Sequence, residues 1–293
     1  MAMDAAKRGQ LGYALYRPEF DQHSPERLSL VGELRQAIEN DGLALVYQPQ
    51  VATGGGRLAA AEALLRWHHP GRGTIPPDEF VALAERTGLI RPLTRWVLDH
   101  ALRQCRAWLD AGLVIPVAVN ASMHDVQDAN LPDEIERLLD KWHVPPGYLR
   151  IEVTEGTLMA DTHRTLEVLG RLRSLGIEIA VDDFGTGYSS LAYLGRLPVN
   201  ELKIDRSFVR ELSTNSKHAA IVRSTIALGH DLGLRVVAEG VEDEATWRFL
   251  QRSGCDSVQG YWVSRPLSAT ALVEWLLTSG RAAGEEPQLL PAA

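Results

Sequence analysis

Eight apolar, β-branched-rich runs punctuate the chain, at residues 43–52, 58–67, 117–122, 149–155, 178–184, 201–205, 235–241 and 257–263. Each has the length and composition of a strand. Amphipathic stretches of helical period lie between most of them, at 78–87, 91–111, 132–142, 162–175, 217–232 and 243–253. Strands alternating with helices predict parallel βαβ units, and eight in ~250 residues fit a closed (β/α)8 barrel better than an open sheet. One link breaks the pattern. Residues 53–57, TGGGR, are too few for a parallel crossover, which takes about a dozen or more, so the first two strands must form an antiparallel hairpin. A turn centred near Gly55 sets Gln48 roughly opposite Glu62. The expected fold is α/β: a modified TIM-type barrel with one antiparallel strand supplied by an N-terminal β-hairpin.

The ends read differently from this core. Residues 1–26 carry scattered charges broken by Pro18 and Pro25 and read as a tail or linker from a preceding module. The barrel is expected over 27–280. The last thirteen residues, 281–293, are poor in the large apolar groups that fix a chain and are expected to be disordered.

Composition narrows the function. An apolar fraction of 45% and a charged fraction of 23% are those of an ordinary globular protein. A formal charge of −8 argues against a nucleic-acid polymer as partner, because that binding rests on a basic surface. A small anionic ligand received by local cations or metals remains open. The two cysteines, Cys105 and Cys255, lack metal-ligand spacing and read as reduced and structural. No uncharged apolar stretch reaches the ~18 residues that span a bilayer, and no charged start precedes an apolar core, so the expected location is cytoplasmic.

Acids and amides sit at or near the ends of the apolar runs: Glu62, Asn120, Glu152, Asp182, Asp183 and Glu239, with Lys203 the one cation spaced among them. If the runs are strands of one barrel, five carboxylates converge on one mouth. Like charges a few ångströms apart in a partly dry site cost several kcal/mol and raise some pKa values unless positive charge joins them. A pair of divalent cations answers that need.

Taken singly the motifs are ambiguous. In YQP (47–49) and EALLRW (62–67), an apolar strand with one Glu and one Arg is either a solvated edge or a place where Glu62 ligates a metal and Arg66 forks onto a phosphate. Asn120 either caps a turn or faces the site. Glu152 alternates onto the face opposite Ile151 and Val153, which in a barrel strand is the interior. VDDFGTGYSSL (181–191) is the strongest local signal: adjacent carboxylates and a glycine turn grip cations, where the bland alternative is a set of Asx turns. ELKIDRSF (201–208) puts Lys203 and Asp205 on one strand face, and a lysine inside an apolar strand needs partners; ringed by carboxylates it stays protonated and can orient a water or a phosphate oxygen. Glu239 and Glu242 come from VVAEGVE, and Gln259 with two aromatics from VQGYW. Glu242 reads equally as an acid of a helix first turn. His68, His69, His100 and His143 show no ligand spacing and read as structural.

YQP, EALLRW, NAS, EVTE, DDFGTGYSSL, LKIDRSF, AEGVE and QGY occur in the order and approximate spacing of the EAL domain, the bacterial cyclic di-GMP phosphodiesterase, and the chain resembles that family over roughly 27–280. The segment AKRGQLGYALYRPEF also resembles the tail of a GGDEF (diguanylate cyclase-like) domain. The resemblance implies two Mg²⁺ or Mn²⁺ ions, the first held by Glu62, Asn120, Glu152 and Asp182 and the second by Asp182, Asp183 and Glu239. It implies that Lys203 positions the attacking water, with Glu62, Asp183 and Glu239 in the catalytic set. Gln48, Leu64, Arg66, Asp205 and Gln259 would contact the guanine and phosphate parts of the ligand, with Glu242 in support, and Glu155 would brace the loop of Asp183 to Gly187 from behind. It also implies a homodimer formed through the 183–195 loop and its adjoining helix, and upstream GGDEF or sensory modules. Gly156 and Val263 depart from the family's usual serine and aromatic residue.

The resulting expectation is hydrolysis of cyclic di-GMP to linear pGpG. The alternatives are a catalytically silent cyclic di-GMP sensor and, more remotely, a metal-dependent lyase or isomerase with Lys203 as base.

Overall fold

A computed structural model describes residues 25–160, 162–187, 194–212 and 215–280. The expected linker before Pro25, the tail over 281–293 and residues 188–193 of the 183–195 loop lie outside them. Nine strands are seen among the described residues: β1 Leu43–Ala52, β2 Leu58–His69, β3 Gly73–Ile75, β4 Val117–Ala121, β5 Leu149–Thr154, β6 Glu178–Phe184, β7 Glu201–Ile204, β8 Arg235–Ala238 and β9 Ser257–Val258. The helices are α1 Pro25–Glu39, α2 Pro77–Thr87, α3 Ile90–Asp110, α4 Met123–Val126, α5 Leu131–Trp142, α6 Glu155–Ala160, α7 Thr162–Ser174, α8 Arg206–Val209, α9 Ser216–Asp231, α10 Glu244–Arg252 and α11 Ala269–Thr278.

Strands β2, β4, β5, β6, β7, β8 and β9 pair in parallel, each with the next. β1 closes the ring by pairing antiparallel with both β2 and β9, and β3 extends β2 outside it. The hairpin puts Gln48 directly opposite Glu62. Gly55 and Gly56 carry its turn at positive φ, 95° and 67°, where a side chain would be strained.

The parity of the strands divides the molecule into two layers of different chemistry. Leu149, Ile151 and Val153 on β5, Ile179 and Val181 on β6, and Leu202 and Ile204 on β7 are buried within the apolar core. Each such aliphatic contributes about 1.5–3 kcal/mol on burial. The matching stripe on α3 is Ile90, Leu93, Val97, Ala101, Cys105 and Trp108, spaced by three and four. Apart from Ala180, the alternate positions are polar: Arg150 and Glu152, Glu178 and Asp182, Glu201 and Lys203, with Asp205 just past β7. These fill the barrel.

Three differences from the expectation have physical reasons. β9 ends at Val258 because the chain turns at Gly260, where an added Cβ would stand 2.2 Å from the Val241 carbonyl oxygen. β3 is three residues long, below the length at which a period is readable. α1 begins inside the stretch expected to be linker, and Leu30, Leu34 and Ala37, one helical face, pack it onto the core.

Candidate functional site

The strand ends open into a cavity of about 620 Å³ lined by Gln48, Glu62, Asp182, Asp183, Asp205, Glu239, Glu242 and Gln259, with others. That lies within the ~300–1,000 Å³ usual for small-molecule sites. At its base Lys203, wholly buried, stands 2.7 Å from Glu152, 2.7 Å from Glu239, 3.1 Å from Asp182 and 3.9 Å from Glu62. Asn120 donates to Glu62 Oε1 at 2.8 Å and Gln259 to Glu62 Oε2 at 2.6 Å. Seven strands, β2 and β4 to β9, thus bring together residues more than a hundred positions apart.

Consecutive strand residues point to opposite faces, so Asp182 and Asp183 cannot both reach the mouth from a regular strand. The β6–β7 register shifts between Val181 and Phe184, and Asp183 takes φ 53°. This irregularity, tolerated by aspartate better than by most side chains, turns both carboxylates to one place. Oxygens of Asp182, Asp183 and Glu239 lie within 4.8 Å of one another. Asp182 Oδ1 also accepts the Asp183 amide at 2.9 Å. Behind this turn Glu155 Oε2 accepts from the Gly185 amide at 2.9 Å and the Gly187 amide at 3.4 Å. An added Cβ on Gly187 would come within 2.7 Å of the same carboxylate.

The charges do not balance. Five carboxylates face one ammonium. Burial works against the Glu62 carboxylate, but Lys203 and the bonds from Gln259 and Asn120 overcome it and hold Glu62 below the usual range. Burial, together with the charges of Glu62 and Asp182, pushes Glu152 well above the usual range despite Lys203. Burial raises Glu239 to about 8, with Lys203 opposing and Asp182 and Glu62 adding. Burial, Asp182 and Asp205 raise Asp183 to about 6. Burial opposes the Lys203 charge, yet the surrounding carboxylates hold its pKa well above the ordinary value. A set of hard oxygens with surplus negative charge fits divalent cations such as Mg²⁺, Mn²⁺ or Ca²⁺.

That surplus sets a stability prediction. Glu239 titrates near 4.5 when free and near 8 in the fold, so the fold binds its proton more tightly than the unfolded chain. Its contribution is complete below pH 4.5 and is lost as pH rises through 8, a change of several kcal/mol. Thermal unfolding in chelator should therefore show a lower Tm at pH 8.5 than at pH 5.5, and Mn²⁺ should restore the loss at pH 8.5. A metal-free Tm that is flat or rising over this range would contradict the charge accounting.

The rim differs from the expectation in places. Asp205 accepts from the Ser207 amide at 2.9 Å and from the Ser207 hydroxyl, so it caps α8 as well as lining the cavity. Glu242 lies ahead of α10, whose cap is Asp243, and pairs with Arg210 at 2.8 Å; the first-turn reading gives way to a rim ion pair. Leu64 and Arg66 are half-buried further along β2, outside the cavity lining, and the Arg66 guanidinium rests on the Leu65 carbonyl at 2.8 Å. Tyr261, one of the two aromatics of VQGYW, lines the cavity, and Arg206, Ser207, Arg210 and Thr186 line it without having been singled out. Their one sequence signal is position, immediately after a strand end that carries chemistry. Gln259 Oε1 is buried and has no bond to any described residue, an acceptor open to a ligand's N–H. The histidines have structural partners: His69 with Glu33 at 2.9 Å, His100 with Asp41 at 3.2 Å and stacked on Trp96, and His68 with Thr74 at 3.0 Å. Cys105 and Cys255 are buried and unpaired. No helix among the described residues is long and apolar enough to cross a membrane.

A family model described as the EAL domain matches residues 31–266. The bifunctional diguanylate cyclase/cyclic di-GMP phosphodiesterase MucR of Pseudomonas aeruginosa is 47% identical over 270 residues, 92% of this chain and 39% of its own length. The cyclic di-GMP phosphodiesterase PA2567 of the same organism is 42% identical over 276 residues, 94% of this chain and 47% of its own length. The chain therefore spans less than half of these relatives. The solved structure of the PaMucR phosphodiesterase in complex with c-di-GMP superposes with a TM-score of 0.80 at 49% identity, covering 83% of this chain and 99% of that one.

Proposed function

The chain belongs to the EAL domain family, and from that premise we propose that it hydrolyses one phosphodiester bond of cyclic di-GMP, giving linear pGpG. The observation that carries this reading is the convergence of Glu62, Glu152, Asp182, Asp183 and Glu239 around Lys203 at the base of an open cavity. Glu62, Asn120, Glu152 and Asp182 would hold one divalent cation, and Asp182, Asp183 and Glu239 a second, Mg²⁺ or Mn²⁺. When bound, such ions supply positive charge to the phosphoryl oxygens and lower the pKa of the attacking water.

The protein's own groups do the rest. Water adds to phosphorus in line with the departing 3′ oxygen, which leaves with a proton as a hydroxyl. Lys203 already carries its proton and is clasped by acids, so it acts as a donor that orients the water or a phosphate oxygen and not as a base. That disfavours the lyase or isomerase alternative. The open acceptor of Gln259 suits a guanine N–H, and Gln48, which accepts from Gln259 Nε2 at 3.1 Å, fixes which way that amide faces. Asp205, Glu242, Leu64 and Arg66 complete the proposed ligand surface, and Glu155 braces the loop of Asp183. A homodimer through the 183–195 loop, upstream GGDEF or sensory modules and a cytoplasmic setting belong to the same reading.

The test is incubation with cyclic di-GMP and Mn²⁺ followed by chromatography. Release of pGpG, abolished by chelator, is expected. Binding of cyclic di-GMP without any pGpG at saturating Mn²⁺ would favour the silent sensor.

A further inference from the structure

Beneath Lys203 lies a second polar layer that the site itself does not use. Gln50 on β1 is wholly buried, two residues from Gln48. Its amide nitrogen donates to Glu152 Oε1 at 3.3 Å and its amide oxygen accepts from Arg150 at 2.9 Å. Arg150 is anchored in turn by Glu201 at 2.6 Å and Glu178 at 2.9 Å, and Arg235 closes onto both acids at 3.3 Å and 2.6 Å. The guanidinium has no acceptor, so only the oxygen of the amide can face it, and the NH₂ is left to face Glu152. The other oxygen of Glu152 takes Lys203 at 2.7 Å. One donor on each oxygen leaves the carboxylate a single rotation.

We propose that Gln50 is a positioning residue that sets the orientation of Glu152 for metal binding, with Arg150 and its acids as the anchor. This rests on the metal-dependent reading above. An apolar side chain at position 50 would strand both Arg150 and Glu152, and a carboxylate would repel Glu152 while still satisfying Arg150. The amide is the side chain of this size that joins the two. Outer partners of this kind typically govern affinity for the ion by 10–100-fold.

Gln50→Glu and Gln50→Leu, made in the full chain, test it by titration calorimetry with Mn²⁺ alone, by kcat and KM for cyclic di-GMP, and by thermal unfolding. Gln50→Glu keeps the acceptor for Arg150 and loses the donor, and Gln50→Leu loses both. The expected result is Mn²⁺ binding weakened by about 10–100-fold in each folded variant, KM for cyclic di-GMP unchanged, and kcat recovering as Mn²⁺ is raised, a recovery that a general packing defect would not give. A folded variant that binds Mn²⁺ within about twofold of the parent overturns the role, since outer partners act well beyond that. A parent protein that takes up no Mn²⁺ overturns the metal-dependent reading itself, and the role of Gln50 with it.

Discussion

Asp182→Ala is expected to remove hydrolysis of cyclic di-GMP while leaving the metal-free fold as stable as the parent, or more so. Asp182 is the carboxylate common to both proposed cation sites, and it stands 3.1 Å from Lys203 and within 4.8 Å of Asp183 and Glu239 oxygens. Losing even one preorganised group of a reaction centre lowers kcat by about 10²–10³-fold, and here one side chain serves two ions, so the loss should be at least that large. Stability moves the other way, because removing one of five crowded carboxylates relieves repulsion that one lysine does not neutralise. Turnover by chromatography, Mn²⁺ uptake by calorimetry and denaturant unfolding in chelator at pH 8 report the three quantities. A soluble variant with turnover within about tenfold of the parent would remove Asp182 from the reaction.

Lys203→Met should act on the fold as strongly as on the chemistry. The ammonium is wholly buried and has four carboxylates within 3.9 Å. Methionine matches much of the volume and supplies no charge. Breaking a buried ion pair by deleting one partner costs about 3–5 kcal/mol. The metal-free variant should show that loss at pH 8, measured by denaturant unfolding in chelator, and less of it at pH 5.5, where Glu239, raised to about 8, takes up a proton and stops repelling its neighbours. Divalent cation should recover part of the stability without recovering activity. Equal destabilisation at both pH values would mean that packing, and not charge, is what Lys203 supplies.

Much of this was legible in the sequence because two signals agree. The barrel is written in the alternation of apolar runs and amphipathic stretches, and the reversed strand in the five residues between Ala52 and Leu58, which leave no other route. Asp182 and Asp183 mark themselves by adjacency. Lys203 marks itself by standing in an apolar strand. The floor escaped notice although it obeys the same rule: Arg150 and Glu201 sit two residues before Glu152 and Lys203, and parity places them inside the barrel. A charge at a strand's start reads as an exposed end, and only closure of the ring shows that these starts meet. The bulge that turns Asp183 leaves no trace in a pattern of apolar and polar positions, since it is a backbone conformation. Arg206, Arg210 and Tyr261 become part of the cavity through the way α8 and the turn at Gly260 fold over it, and that is tertiary geometry.

Because β1 runs against its neighbours, Leu43 pairs with Trp67, at the end of β2 nearest the carboxylates. In an ordinary barrel of this kind the first strand begins at the closed floor. Here α1 delivers the chain to the open rim, clamped there by the contact of Glu33 with His69. Torque or tension applied ahead of Pro25 would therefore travel one helix before reaching the lip of the cavity, with no need to cross the body of the fold.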